Sequence, residues 1–388
     1  MMMMQQDKSG RPCSGIRVLE LGSLFASPIV GQILSDLGAE VIKVEPPQGD
    51  PIRMISPIYK GMSALFLTIN RGKKSVVLDL KSAEGRRAAH KLALSADVLV
   101  HNFRPGSAER IGLGYEQLRE DNPGLIYASI SGFGENGPYV SKPAYDHIIQ
   151  GMSGVMYLQG RGRQPEPVRN LLVDKTTATL TASSILAALF QRERSGGQGQ
   201  HINASLLRAF SWLALTDNVA NYTFQSPDAT KAPALDIHHP LKTRDGWVIG
   251  HIQSDEQFAA ACKIFDRLDL LEDPRWKSTT QRIVSNGEMW AELARTAETQ
   301  TRDELLRRAE EAGVALGPIY TLDEFFSDPQ VQASGVYVDH EDADFGAIRQ
   351  INFPVDFSNA PIDVGVRAPL LGEHTQQVLD TLEETTHA

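Results

Sequence analysis

Cysteine is nearly missing from this chain: Cys13 and Cys262 are the only two in 388 residues. A disulfide framework and a cysteine-based metal cluster are excluded, and neither thiol has a His spaced as a partner ligand, so no metal site is expected. Long apolar runs are absent as well. None approaches the roughly 20 residues that cross a bilayer. Residues 1–11 contain no apolar signal core, and their four consecutive methionines read as an uncertain start or a floppy tail. A cytoplasmic protein without a membrane partner is expected. Basic charge is in deficit, with 38 Lys and Arg against 48 Asp and Glu and a net charge of −10. That balance argues against a nucleic-acid partner, and it requires any anionic ligand to be met by a local cluster of cations.

Three phosphate and metal motifs are also missing. The first turn has Gly22 and then no glycine before Gly31, so the G-x-G-x-x-G that admits a pyrophosphate is lacking. Glu45 stands where a dinucleotide fold carries its ribose-binding acid, yet without those glycines a nicotinamide dehydrogenase is disfavoured. There is no G-x-x-x-x-G-K-[ST] and no H-E-x-x-H, so ATP and zinc chemistry lack their usual carriers, and no permanently bound cofactor is expected.

What is present is ordinary globular composition, 41% hydrophobic and 22% charged, in a chain long enough for two domains. Strand-like runs at 16–21, 41–45, 75–80, 97–100, 125–130 and 201–205 alternate with helical patterns, among them 29–37, 84–94 and 107–111. This predicts an α/β fold: a doubly wound, mostly parallel sheet. Ligands in such sheets bind beyond the carboxyl ends of strands, which makes the loops 24–27, 45–53, 102–106 and 131–137 site candidates. We divide the chain into 1–222, the first part of a large domain; 223–240, a linker rich in proline; 241–327, a smaller α/β domain; and 328–388, a return to the large domain.

The stretch 169–178 (RNLLVDKTTA) predicts a short strand-like run that delivers Asp174 to the mouth of a long apolar helix running from Thr176 to Arg194. Apolar residues on nearly every side of that helix predict burial. By position alone Asp174 reads as a helix cap, and a helix N-terminus would favour its ionised form.

The segments 15–22 (GIRVLELG), 37–46 (LGAEVIKVEP), 70–75 (NRGKKS), 97–106 (DVLVHNFRPG), 131–138 (SGFGENGP), 313–318 (GVALGP) and 371–374 (LGEH), in that order around Asp174, resemble the family III CoA-transferases. The resemblance covers nearly the whole chain from Gly15. It implies a large domain built from both chain ends, a small middle domain, and two chains interlocked as a homodimer. It also implies transfer of CoA from an acyl-CoA donor to a free carboxylic acid, with coenzyme A as substrate and product. Asp174 matches the family's catalytic carboxylate, which carries an aspartyl-CoA thioester. Residues assigned to CoA binding and substrate lining on this resemblance are Phe25, Ala26, Asn102, Phe103, Arg104, Tyr145 and Asp146; the basic residues Arg71, Lys73 and Lys74, before the third strand, are candidates for the CoA phosphates that a chain of net charge −10 must meet locally. Phe25 departs from the formyl-CoA transferases, which have Gln there, and this speaks against oxalate-type specificity. His251 is a candidate for the acceptor site or a structural histidine. Arg53 and Arg169 suggest a succinyl or other short dicarboxylic donor.

Two relatives of the same fold remain alternatives. An α-methylacyl-CoA racemase needs a second acid/base opposite Asp174, and its His is replaced here by Tyr145; His147 is expected to face elsewhere. A non-catalytic CoA-binding protein would be expected to have lost Asp174.

Overall fold

A computed structural model describes residues 10–231 and 238–386. The tail expected at 1–9 and part of the linker, 232–237, lie outside the described residues. The described chain forms two compact units, 1–217 with 335–388, and 218–334.

In the first unit six strands form one sheet: β1 (Arg17–Glu20), β2 (Glu40–Glu45), β3 (Lys74–Val77), β4 (Val98–His101), β5 (Ile126–Ser131) and β6 (Gln200–Ser205). Their spatial order is β3-β2-β1-β4-β5-β6 and every pairing is parallel. Successive side chains along a strand point to opposite faces, and here both faces are apolar. Val18, Val98, Val100, Ile126 and Ala128 join one core with α1 (Ala26–Asp36), α4 (Leu172–Arg194) and α5 (Leu206–Leu215). Leu19, Ile42, Val44, Val76 and Leu99 join another with α2 (Ala83–Leu94) and the last helix, α9 (Thr375–Thr386). The strand order reverses between β1 and β4, the switch point at which such sheets open a ligand crevice.

The second unit contains a three-stranded antiparallel sheet, β7 (Leu241–Lys242), β8 (Trp247–His251) and β9 (Ala315–Pro318), with β8 central. Its core includes Trp276, Trp290 and Phe265 and is shared with α6 (Asp255–Ile264), α7 (Asn286–Ala297) and α8 (Arg302–Glu311). His251 ends β8 and is exposed. The segment after 335 forms the hairpin β10 (Tyr337–Asp342) and β11 (Gly346–Ile351) within the first unit. Among the described residues, no helix is long and apolar enough to cross a membrane. Cys13 and Cys262 are buried free thiols, each pushed up to about 11 by burial.

Candidate active site

Two helices begin at the carboxyl edge of the parallel sheet. α1 follows β1 directly, and α4 precedes β6 after a short connection, so each runs opposite to the strands it packs on. They pack side by side, which sets the starts of both helices, at Ala26 and Leu172, on the same edge.

The helix carrying Asp174 starts earlier than its sequence predicts. No strand precedes it. Leu171 is at the N-cap with no side-chain bond, and Asp174 falls inside the first turn. The cap comes from elsewhere. Asp146, 3% exposed at the start of α3 (Asp146–Met152), accepts hydrogen bonds through Oδ2 from the Val173 amide at 2.8 Å and the Asp174 amide at 3.2 Å. Asp174 is therefore not the cap of its helix, and no hydrogen bond or ion pair to its carboxylate is found among the described residues. Nor does the junction keep it ionised. Burial, with the charge of Asp146 beside it, pushes its carboxyl up to about 7. The helix is also only one-sided in its burial: Val173, Thr177, Ala178, Thr181, Ile185 and Leu189 face inward while Lys175, Thr179, Ser183 and Phe190 are exposed.

Sequence reasoning missed Gln150. Its Nε2 donates to Asp146 Oδ1 at 2.6 Å and to the carbonyls of Val168 and Asn170, while its Oε1 accepts from the Val168 amide. One buried amide thus fixes the capping carboxylate and the approach to the helix carrying Asp174 together. Its only sequence signal is the i, i+4 spacing from Asp146, which many helices share. Tyr145 is exposed, and its ring runs parallel to that of His147 with 6.2 Å between centroids. His147 does not face elsewhere, as expected from its spacing, but lies beside Tyr145.

At the switch point, Asn102 joins the loops after β1 and β4: its Oδ1 accepts from the Ser23 amide at 3.0 Å and its Nδ2 donates to the Ser23 carbonyl at 2.8 Å. A side chain on Gly22 would come within 2.1 Å of Ser27 Oγ and 2.9 Å of Asn102 Oδ1, so this closure requires glycine. Phe103 is half-buried against His101, ring centroids 5.1 Å apart. Burial lowers the His101 ring to about 4. Its neutral Nδ1 accepts from the Phe103 amide, leaving Nε2 to donate to Tyr127, whose hydroxyl donates to the Leu113 carbonyl. Arg104 is exposed at the end of this loop. Phe25 is half-buried at the N-cap of α1, and Ala26 is buried behind it.

The basic cluster at 71–74 is not a surface patch. Arg71 is buried in a two-pronged pair with Asp36, at 3.1 and 2.7 Å, and donates to Gln350 and to the Ile351 carbonyl. Lys73 is enclosed by Glu20, the Pro28 carbonyl and Asn70. Lys74 pairs with Glu40 at 2.5 Å. Arg71 and Lys73 thus neutralise buried carboxylates, whereas Lys74 and its partner Glu40 are both partly exposed. Arg53 is engaged likewise, held by both oxygens of Glu45 at 2.7 Å and lying over the Phe66 ring. Glu45 has no lone pairs to spare for a ribose, since Ser75 and the Asp50 amide donate to it as well. Arg169 is exposed between two backbone groups that Gln150 holds.

Known proteins resemble this chain over nearly its whole length. The model of CoA-transferase family III matches residues 13–375. A succinate–glutarate CoA-transferase of Agrobacterium fabrum is 37% identical over 96% of both chains, and a succinyl-CoA–D-citramalate CoA-transferase of Chloroflexus aurantiacus is 34% identical over 98% of this chain and 96% of its own. The crystal structure of a CaiB/BaiF family protein from Brucella suis, 35% identical, superposes with a TM-score of 0.84 over 96% of this chain and 100% of its own. With the family model spanning residues 13–375 and relatives above 30% identity matched along nearly their whole length, the chain belongs to CoA-transferase family III.

Proposed function

We propose that this enzyme moves CoA from an acyl-CoA donor to a free carboxylic acid through an aspartyl-CoA thioester on Asp174. The observation that carries this reading is the relief of Asp174 from capping: Asp146 satisfies the helix amides, so a half-buried carboxylate with its pKa raised toward neutrality is left over for chemistry. Asp174 attacks the donor thioester carbonyl and expels CoA thiolate, giving a mixed anhydride. The thiolate then attacks the aspartyl carbonyl and releases the donor acid. An acceptor carboxylate attacks the aspartyl thioester, thiolate leaves again, and its return to the acceptor acyl carbon frees Asp174. The donor thioester broken is replaced overall by an acceptor thioester of similar energy, so no nucleotide is consumed. Asn102, Phe103 and Arg104, with Phe25 and Ala26 across the switch point, are the residues we assign to CoA. Tyr145 and Asp146 line the acyl side. Trapping with hydroxylamine or borohydride during turnover, followed by peptide mass spectrometry, is expected to label Asp174; turnover with no adduct on that peptide would sink the proposal.

For the acyl pair we propose a short dicarboxylic donor such as succinyl-CoA, supported by the names of two relatives and by the exposed Arg169. Arg169→Ala should raise KM for succinyl-CoA roughly tenfold while sparing acetyl-CoA, the effect of losing one charge-assisted contact. Arg53→Ala should lower Tm, because it strands the buried Glu45, without changing that preference. We also propose the interlocked homodimer; exposed Phe190, Trp212 and Leu213 on α4 and α5 support burial against a second copy.

The racemase reading keeps one supporting observation, His147 beside Tyr145. Exchange of an α-proton of 2-methylacyl-CoA in D2O, lost in His147→Ala, would favour it. Our expectation is no exchange above background in either protein.

A further inference from the structure

Lys43 sits in the middle of a central parallel strand, a place where an apolar residue would ordinarily be found. It is fully buried beneath α1, as is Glu20 on the neighbouring strand. Its Nζ donates to Glu20 at 2.8 Å and to the Gly22 carbonyl at 2.9 Å, and lies 2.9 Å from Asp50 Oδ2 in an ion pair without hydrogen-bond alignment. The other oxygen of Asp50 accepts from the Leu24 amide and the Ile52 amide, each at 3.1 Å. Lys43 and Asp50 therefore grip the turn after β1 from both sides, at the carbonyl of Gly22 and the amide of Leu24. Asn102 holds Ser23 between them. Within this grip Leu24 has φ 65°, a left-handed conformation that glycine adopts freely and leucine does not. The next residues are Phe25 and Ala26, the start of α1.

A core charge pair of this kind adds little stability compared with a well-packed apolar pair, so its presence here calls for another account. We propose that the buried Lys43–Asp50 pair is a positioning device that forces the Gly22–Leu24 turn into its left-handed form and so fixes where α1 begins at the carboxyl edge of the sheet. Neither residue is required to touch substrate. The kinetic consequence rests on the CoA-transfer reading above; the conformational one does not.

The test uses the full chain. Asp50→Asn is expected to lower kcat for succinyl-CoA and glutarate by about tenfold to a hundredfold, with KM within about threefold, as misplacement of an otherwise intact site does. Amide hydrogen exchange should quicken in the peptide 21–28 and stay unchanged in 126–131. Adding Leu24→Gly to Asp50→Asn should recover part of the lost kcat, because glycine takes the turn conformation unforced; a purely structural role would not respond in this way. Should Asp50→Asn fail to fold, the double replacement Lys43→Met/Asp50→Leu removes one charge of each sign and leaves Glu20 paired with Lys73, and the same kcat loss and local exchange are expected of it. The proposal is overturned by a folded variant that keeps kcat within about threefold, by exchange that rises equally in both peptides, or by no recovery with Leu24→Gly. A wild-type protein that transfers no CoA overturns the functional reading instead, and the exchange data still decide this one.

Discussion

Asp174→Asn is expected to lower CoA transfer by roughly 10⁴-fold or more, the scale seen when a covalent nucleophile is removed, and at the same time to make the protein more stable at pH 8. The second half of this expectation separates a nucleophile from a cap. The Asp174 carboxyl has an ordinary value of 3.8 and a folded-state value of about 7. Between these values the folded state holds a proton that the unfolded state has lost, so stability falls as pH rises from 3.8 through 7. Above pH 7 the folded protein carries the full cost of an ionised, half-buried carboxylate, up to about 4 kcal/mol for three pH units. Asparagine has no such charge. Its Tm should exceed the wild-type value by several degrees at pH 8, and the gap should close by pH 4. A capping aspartate would give no such gain, because asparagine caps a helix about as well as aspartate. An active Asp174→Asn protein would contradict the nucleophile, and one destabilised at pH 8 would contradict the costly buried charge.

Much of this arrangement is legible in the chain, and the failures share one cause. Alternation within strands and turn residues between them locate all six strands of the large sheet, and with them the loops at the switch point. Those signals are local. They mislead where a residue's partner is distant. Arg71, Lys73 and Lys74 look like a basic patch because their carboxylates, Asp36, Glu20 and Glu40, come 34 to 53 positions earlier. Asp174 looks like a cap because the true cap, Asp146, lies 28 positions away from it. Arg53 looks available because the strand-end Glu45, which reads as a ligand acid, is its partner. Lys43 draws no attention because a lysine in a strand usually marks a solvated face. Periodicity tells which way a side chain points; it does not tell what waits there, and in a parallel sheet covered on both faces the answer is often another charge.

Asp146→Asn is expected to move the pH dependence of catalysis. A nucleophilic carboxylate must be ionised, so kcat/KM of the wild-type enzyme should rise with pH and level off above a midpoint near 7. Burial is the larger cause of that midpoint and the charge of Asp146 the second. Asparagine at 146 removes the second cause only. The midpoint should then fall below 7 and stay above the ordinary 3.8. At pH 5.5, where a group of pKa 7 is only about 3% ionised, the variant should retain a larger fraction of its plateau rate than the wild type does. The plateau itself should drop. Asparagine can still accept from the Val173 and Asp174 amides through one oxygen, but its amide then meets Gln150 Nε2, a donor against a donor, and Gln150 cannot turn without losing its bonds to 168 and 170. The cost of that mismatch is about 1–3 kcal/mol in stability. Asp146→Ala leaves both helix amides and Gln150 unanswered and should cost more stability than Asp146→Asn. A midpoint that stays near 7 in Asp146→Asn would mean that the neighbouring charge has no hold on Asp174. In that case capping and charge tuning are not joined in one carboxylate, and Asp146 is a cap alone.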